Sequence, residues 1–350
     1  MSQTAVMMKP QRPWKLTPKQ ILPDLIGALF TVASTFALVA ITPLKGKLGF
    51  ALVLIFMAIT TATVVSWIRR DRKAAMNSTT TVLVYIAAAF VIIPLTSVLY
   101  EIVRLGANAL SFGMFTADMS QTASDSPLNE GGLLHALIGT AYIVIFATIL
   151  STPIGVLTAL YIVEVKGRFA GLVRFFVQAM SGVPSIVAGL FILAAFILTD
   201  VSGFSALTGG LAYSILMLPT VARTAEEVLK LVPKDLRDAA IALGSSRARV
   251  IMKIVLPTAR TGILTAVILG VARVIGETAP LLLTTSNTNG TNLNPFVDAV
   301  STIPVYIFQF LGSGYPTAIN RSWGAAFVLL TTVAILFAIA RVVERSTKKG

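Results

Sequence analysis

The stretch Leu133–Val163, LLHALIGTAYIVIFATILSTPIGVLTALYIV, contains no Lys, Arg, Asp or Glu. A helix crosses the hydrocarbon core of a bilayer in about 20 residues. This block is therefore long enough to span and to run past the membrane, and its interior Pro153 predicts a kink or an extension. Glu164, Lys166 and Arg168 close it. Other apolar blocks fall at about 24–43, 48–68, 79–99, 175–198, 207–221, 254–283 and 323–340, with charge clusters between them. The chain is 55% apolar and 12% charged, against about 25% charged in a soluble domain. The expected fold class is all-α, a polytopic transmembrane helical bundle of eight spans.

The net charge of +13 would point to nucleic acid in a soluble protein. Here the cations cluster at the ends of apolar blocks, as membrane topology requires, so the lipid bilayer is the expected surroundings and no nucleic acid is expected as partner. Segments 1–23, 69–73, 164–174, 223–253 and 341–349 are rich in Lys and Arg, whereas 101–132, 199–206 and 285–322 are not. Loop 101–132 carries four acids against one Arg. Both termini are therefore expected on the cytoplasmic side. Lys45 and Lys47 break the alternation, in a tight turn. Leu38-Val39-Ala40 resembles a cleavage site, but the block is too long for a signal core and a second span follows, so it reads as a retained helix. Segment 296–311 is short and holds Pro304. It reads as a re-entrant or interfacial helix on the outside, not a ninth span. The chain has no Cys and one His, His135, which reads as an interfacial residue at a helix start. No catalytic residue and no metal site is expected.

The longest internal charged stretch, 223–253, holds seven basic and four acidic residues. Pro233-Lys234-Asp235 predicts a helix start, Leu236, Ala239, Ala240 and Leu243 recur at helical spacing, and Gly244 predicts the end. On charge alone, a solvated connector explains it as well as a docking element does. The spacing decides between them. Asp238-Ala239-Ala240, three residues, Gly244, nine residues, Ile254, one residue, Leu256-Pro257 resembles the EAA loop of bacterial ABC importer permeases, departing only at Asp238, where that pattern has Glu. The resemblance implies that Asp238, Ala239, Ala240, Gly244, Leu256 and Pro257 couple this chain to a separate ATPase. An amphipathic helix laid in a partner groove is a known recognition mode. Gly46-Lys47 lacks the upstream Gly and the following Ser or Thr of a phosphate-binding loop. No cofactor is expected in this chain, and ATP and Mg belong to the partner ATPase.

The block 254–283 contains Arg273 and Glu277. A charge at mid-bilayer costs about 2.5–3.5 kcal/mol on insertion scales, so both should face the bundle interior. Four residues apart on a helix, they share a face and can pair. They form either an internal ion pair that fixes packing or an anion-path arginine held by its carboxylate. The runs Arg223-Thr224-Ala225-Glu226-Glu227, Ala272–Leu282 with its Gly276-Glu277-Thr278-Ala279-Pro280, Ser181–Val187, Met217-Leu218-Pro219 and Ser322–Ala326 closely resemble the phosphate-specific ABC importer permeases of the PstA type, over about residues 130–345. The resemblance implies a MetI-like, type I permease core of six spans, making the first two an addition. It implies a phosphate path using Arg223 and Arg273 with Glu277 as partner. It also implies an ABC ATPase dimer, a second homologous permease of the PstC type and an extracytoplasmic phosphate-binding protein, in a bacterial inner membrane. The expected division is 1–75, an arm and two added helices; 76–132, a helix and external loop; and 133–343, the permease core with its coupling loop 223–257. The rivals are a permease for molybdate, sulfate or phosphonate, and an ion-coupled secondary transporter, for which Glu277 is the one deep carboxylate.

Overall fold

The computed structural model describes residues 18–347. The expectations resting on Lys9, Arg12, Lys15, Lys348 and Lys349 lie outside the described residues. The chain forms two compact units that divide between Leu99 and Tyr100.

In the first unit, α1 (Pro18–Ile41) and α2 (Lys47–Arg69) pack as a helical hairpin, with the rings of Phe36 and Phe50 5.0 Å apart. The first part of α3 (Arg72–Ala109) is tied to α2 by hydroxyl pairs, Thr63 to Thr79 and Ser66 to Ser78, both at 2.6 Å. Such interhelical hydrogen bonds, without an apolar core, hold helices together in lipid. Leu29, Phe30, Phe56, Phe90 and Ile93 are all exposed, as helix faces turned to lipid are.

The second unit takes up the rest of α3, followed by a short α4 (Gly113–Thr116). Next comes α5 (Leu134–Leu160), with Pro153 inside it, prolonged by a π-helical turn Tyr161–Val165. α6 (Ala170–Ser181) and α7 (Ser185–Ile192), the latter prolonged by a π-helical turn Leu193–Ile197, meet at 101°. The break is Gly182-Val183-Pro184, where the proline ring drives the preceding residue out of helical geometry. α8 (Ala206–Lys230) begins with a capping box between Ser205 and Thr208, which satisfies two backbone donors reciprocally. α9 (Lys234–Ala242), α10 (Arg247–Val250) and a π-helical turn Ile251–Val255 lead into α11 (Leu256–Val274). α12 (Ala279–Leu282), α13 (Ile303–Leu311) and α14 (Pro316–Thr347) complete the unit.

The apolar blocks seen in the sequence are helical apart from breaks at 182–184 and 275–278, but among the described residues five helices are long and apolar enough to cross a bilayer, or six if the bent α6–α7 pair counts as one. The apolar part of α1, Leu25–Ile41, is shorter than a span. α8 carries Arg223, Glu226, Glu227 and Lys230 in its last turns, so part of its length is polar. The nine residues of α13 cannot span, and 296–302 is not helical. His135 does stand at the start of α5, but it is buried, 5.6 Å from the Tyr306 ring, because α13 folds over the α5 N-terminus. It is therefore a core residue, not an interfacial one.

α8 is the central helix of this unit, packed between α5 and α11. Gly270 lies against Met217 and Val221, and Gly262 against Val228, so α8 and α11 run antiparallel in a defined register. Three apolar clusters stack along the unit. One is centred on Tyr213, Met217, Val221 and Leu281; one, on Leu133, Tyr306 and Phe310, lies toward the acidic loop; and one, on Leu229, Ala240, Val250 and Val255, lies toward the basic end.

Candidate substrate path and coupling loop

The charged stretch after α8 folds as the sequence predicts. α9 starts after Pro233 and ends at Ala242. Gly244 has φ +81°, and its N–H donates to the Ile241 carbonyl (2.9 Å) while that of Ser245 donates to the Ala240 carbonyl (3.1 Å). These two bonds define a Schellman motif, whose left-handed residue favours Gly. No atom lies within 4 Å of where a Cβ would stand, so the constraint at Gly244 is conformational, not steric. Gly244→Val, β-branched at positive φ, is expected to abolish ATP-driven transport, whereas Gly244→Asn, which tolerates that region, keeps at least about half. Uptake assays on both variants check this, and equal loss in the two would show that bulk, not φ, matters.

The two faces of α9 differ. Leu236, Ala239 and Leu243 are exposed, Leu243 to 87%. Ala240 is buried in the cluster that also holds Ala159, Leu160, Leu229, Val255 and Ala259. One residue of the motif thus belongs to the apolar cluster that joins the ends of α5, α8 and α11, and α9 itself packs on α10 and the π-helical turn Ile251–Val255, while an apolar stripe one helical face away is bare. Arg237 fixes the inner side. Its Nε and Nη2 donate to Glu164 Oε1 (3.1 and 2.7 Å), Nη1 to the Val232 carbonyl (2.6 Å), and Nη2 also to the Leu229 carbonyl (2.9 Å). The Leu256-Pro257 pair opens α11. The π-helical turn just before it widens the ladder where the ring would otherwise clash with a carbonyl one turn back.

Arg273 and Glu277 are not paired. α11 ends at Val274, Ile275 and Gly276 form a turn, and Glu277 follows in irregular chain, so the four-residue spacing no longer places Arg273 and Glu277 on one helical face. No ion pair joins them among the described residues. Glu277 is instead held by its backbone: its N–H donates to the Val274 carbonyl (3.0 Å), and its carbonyl accepts from the buried Tyr213 hydroxyl. Beyond it, Pro280 presses on Gly189 of α7, where a Cβ would stand 2.7 Å from the Pro280 Cα. Arg223 and Arg273 are both exposed in this chain. In the α8–α11 register they stand about 10 Å apart along the bundle axis, at 1.5 Å per helical residue.

Three further charged residues were given no role by the sequence: Glu226 and Arg321, which are buried, and the partly buried Asp118. Glu226 is 4% exposed and accepts from Arg174 Nη2 and Lys230 Nζ, both at 2.9 Å. Burial alone would raise its carboxyl, but hydrogen bonds from Lys230 and Arg174 outweigh it and hold Glu226 below the usual range. Arg321, also 4% exposed, donates to the carbonyls of Glu130 (2.6 Å), Ser126 (3.0 Å) and Pro127 (2.6 Å). Asp118 accepts from Ser120 and from both the N–H and hydroxyl of Thr291. The Ser120 hydroxyl leads, against a smaller cost of burial, in holding this carboxyl at about 2. Arg321 thus stitches loop 110–132 to α14, and Asp118 stitches it to the segment after α12. Apart from Lys230 with Glu226, one turn apart, and Ser120 with Asp118, two residues apart, the partners in these sets lie far apart in sequence.

A bundle of membrane-length helices, with a short helix packed inward and bare outward at its basic end, is the architecture of a permease that takes a motor subunit. Residues 151–349 match the family described as the binding-protein-dependent transport system inner membrane component, and the chain belongs to that family. It is 38% identical over 254 residues to the phosphate transport system permease protein PstA of Haemophilus influenzae, covering 72% of this chain and 88% of the relative. It is 36% identical over 267 residues to the phosphate transport system permease protein PstA 1 of Mycobacterium tuberculosis, covering 76% and 87%. A solved structure of the MetNI methionine ABC transporter, in an inward-facing conformation, aligns with TM-score 0.48 and 19% identity over 61% of this chain and 94% of that one. The chain is an integral membrane protein and a permease subunit.

Proposed function

We propose that this chain is one permease half of an ATP-driven importer for inorganic phosphate. One observation carries the reading: α9 is anchored inward, through Ala240 and Arg237, to the helices that build the bundle core, while its other face is apolar and unoccupied. A helix so placed passes a push from a docked partner to α5, α8 and α11. The partner is an ATPase in another chain, which binds ATP and Mg; an ATPase dimer has two grooves, so a second permease completes the path. The basic loops, with both termini, face the cytoplasm, and the stitched loop 110–132 faces an extracytoplasmic phosphate-binding protein. Residues 133–343 form the core.

Phosphate as cargo is supported by the names of the relatives and by the chemistry of Arg223 and Arg273. A guanidinium forks onto two phosphate oxygens. Neither arginine has a carboxylate partner among the described residues, so each is free to take an anion. Affinity in the path should be weak, since conduction requires release. Glu277, unpaired with Arg273 among the described residues, places a carboxylate just past the same helix end.

Vesicles containing the chain with its ATPase, second permease and binding protein test the reading. ATP-dependent uptake of phosphate is expected, unaffected by molybdate, sulfate or phosphonate in excess. Preferred uptake of one of those anions would move the chain to another oxyanion permease, and uptake without ATP would make it a secondary transporter.

A further inference from the structure

Behind the coupling helix lies an open cavity of about 760 Å³, bounded by α9, α10, the π-helical turn of α5 and the start of α6. Six cations line it, Lys166, Arg174, Lys230, Lys234, Arg237 and Arg247, against Glu164 and Asp238. Arg237 is spent on Glu164, and Arg174 and Lys230 share Glu226. Lys166, Lys234 and Arg247 form no ion pair among the described residues. They come from three separate elements and line one hollow.

Two further observations mark the hollow as more than a solvated basic face. Lys166 has φ +51°, a left-handed conformation that a non-glycine residue adopts at a cost, and Gly167 stands next to it in the sequence. Such strain is held where the surroundings over-determine it. On α9, the cavity takes Lys234, Arg237, Asp238 and Ile241, spaced at i, i+3, i+4 and i+7 on one helical face. The bare stripe of Leu236, Ala239 and Leu243 lies about 180° round the same helix. A ligand in the cavity therefore leaves the docking face free.

We propose that this cavity binds a phosphate group, carried either by free inorganic phosphate or by a phospholipid headgroup, and that the bound group braces α9 against the end of α5. Lys166, Lys234 and Arg247 supply the charge-assisted hydrogen bonds. The binding stands without the transport reading. Its consequence, a coupling helix stiffened by an anion on its inner side, rests on that reading.

The full-length chain in nanodiscs, in an Arg273→Gln background that removes the main path arginine, gives the test. One arm measures equilibrium binding of radiolabelled inorganic phosphate in phosphatidylcholine discs. The other measures, by native mass spectrometry, phosphatidylglycerol retained from mixed discs. Saturable binding in the first arm identifies free phosphate, and retention in the second alone identifies a headgroup. In either case Lys166→Gln/Lys234→Gln/Arg247→Gln is expected to weaken it roughly tenfold, and the corresponding triple Arg variant to keep it. All three side chains are exposed, so the variants should fold, which circular dichroism checks. Equal binding by wild type and the triple Gln variant in both arms would overturn the proposal, as would loss in the triple Arg variant. Phosphate bound here by a chain that transports another substrate would sink the transport reading and leave this one intact.

Discussion

Arg273→Gln is expected to lower phosphate uptake by roughly a hundredfold or more while the chain still inserts and assembles. The residue stands in the last turn of α11, exposed in this chain and with no carboxylate partner among the described residues. An arginine whose only task was to fix packing would have its ion pair here, as Glu226 and Glu164 do. A charge left unpaired within an apolar helix costs about 2.5–3.5 kcal/mol unless it faces a wet path. Gln removes that charge and should leave the fold as stable or more so. What it removes from transport is a fork of two charge-assisted hydrogen bonds to phosphate, each about 1.5–3 kcal/mol. Arg273→Lys should retain partial uptake, because a point charge attracts phosphate without orienting it. Initial rates of labelled phosphate uptake, with the amount of assembled transporter measured in parallel, give the result. Wild-type rates in Arg273→Gln would leave the arginine without a role in the path.

The failed Arg273–Glu277 pairing shows what spacing can and cannot tell. The separation is right only if the helix continues. Gly276 just past the last turn and Pro280 four residues on are both helix-ending signals, and they were present in the same run. The helix within loop 223–257 was legible because its signals are local: a Pro at one end of α9, a Gly at the other, a helical stripe between. The apolar blocks were legible for the same reason, although α8 mixes an apolar half with a charged one and so counts as less than a full span. The Arg237–Glu164 contact joins residues 73 positions apart. Neither residue has a local reason to be noticed, since each sits in a run of other charges. The burial of His135 likewise depends on α13, well over a hundred residues downstream, so its position at a helix start could not reveal it.

That long-range contact sets up the other large effect. Arg237→Met is expected to uncouple the transporter, with ATP hydrolysis continuing and uptake lost. The Arg237 side chain is 16% exposed and that of Glu164 10%. Removing the guanidinium leaves a nearly buried carboxylate alone, a change that costs about 3 kcal/mol or more, and strips two donors from the Leu229 and Val232 carbonyls. The cost falls at the root of α9, so the helix loosens there while its docking face is untouched. Hydrogen exchange should rise across Lys234–Leu243 and stay unchanged in the α5–α8 core, and the ratio of ATP hydrolysed to phosphate imported should rise. Glu164→Gln should be milder, because its amide oxygen still accepts from the guanidinium and the carbonyl bonds survive. The charge swap Arg237→Glu with Glu164→Arg separates two accounts of the anchor. If opposite charge were all that mattered, the swap would restore uptake. A glutamate at 237 has no hydrogen to give the Leu229 and Val232 carbonyls, so the swap should remain uncoupled. Restored uptake would reduce the anchor to a simple ion pair.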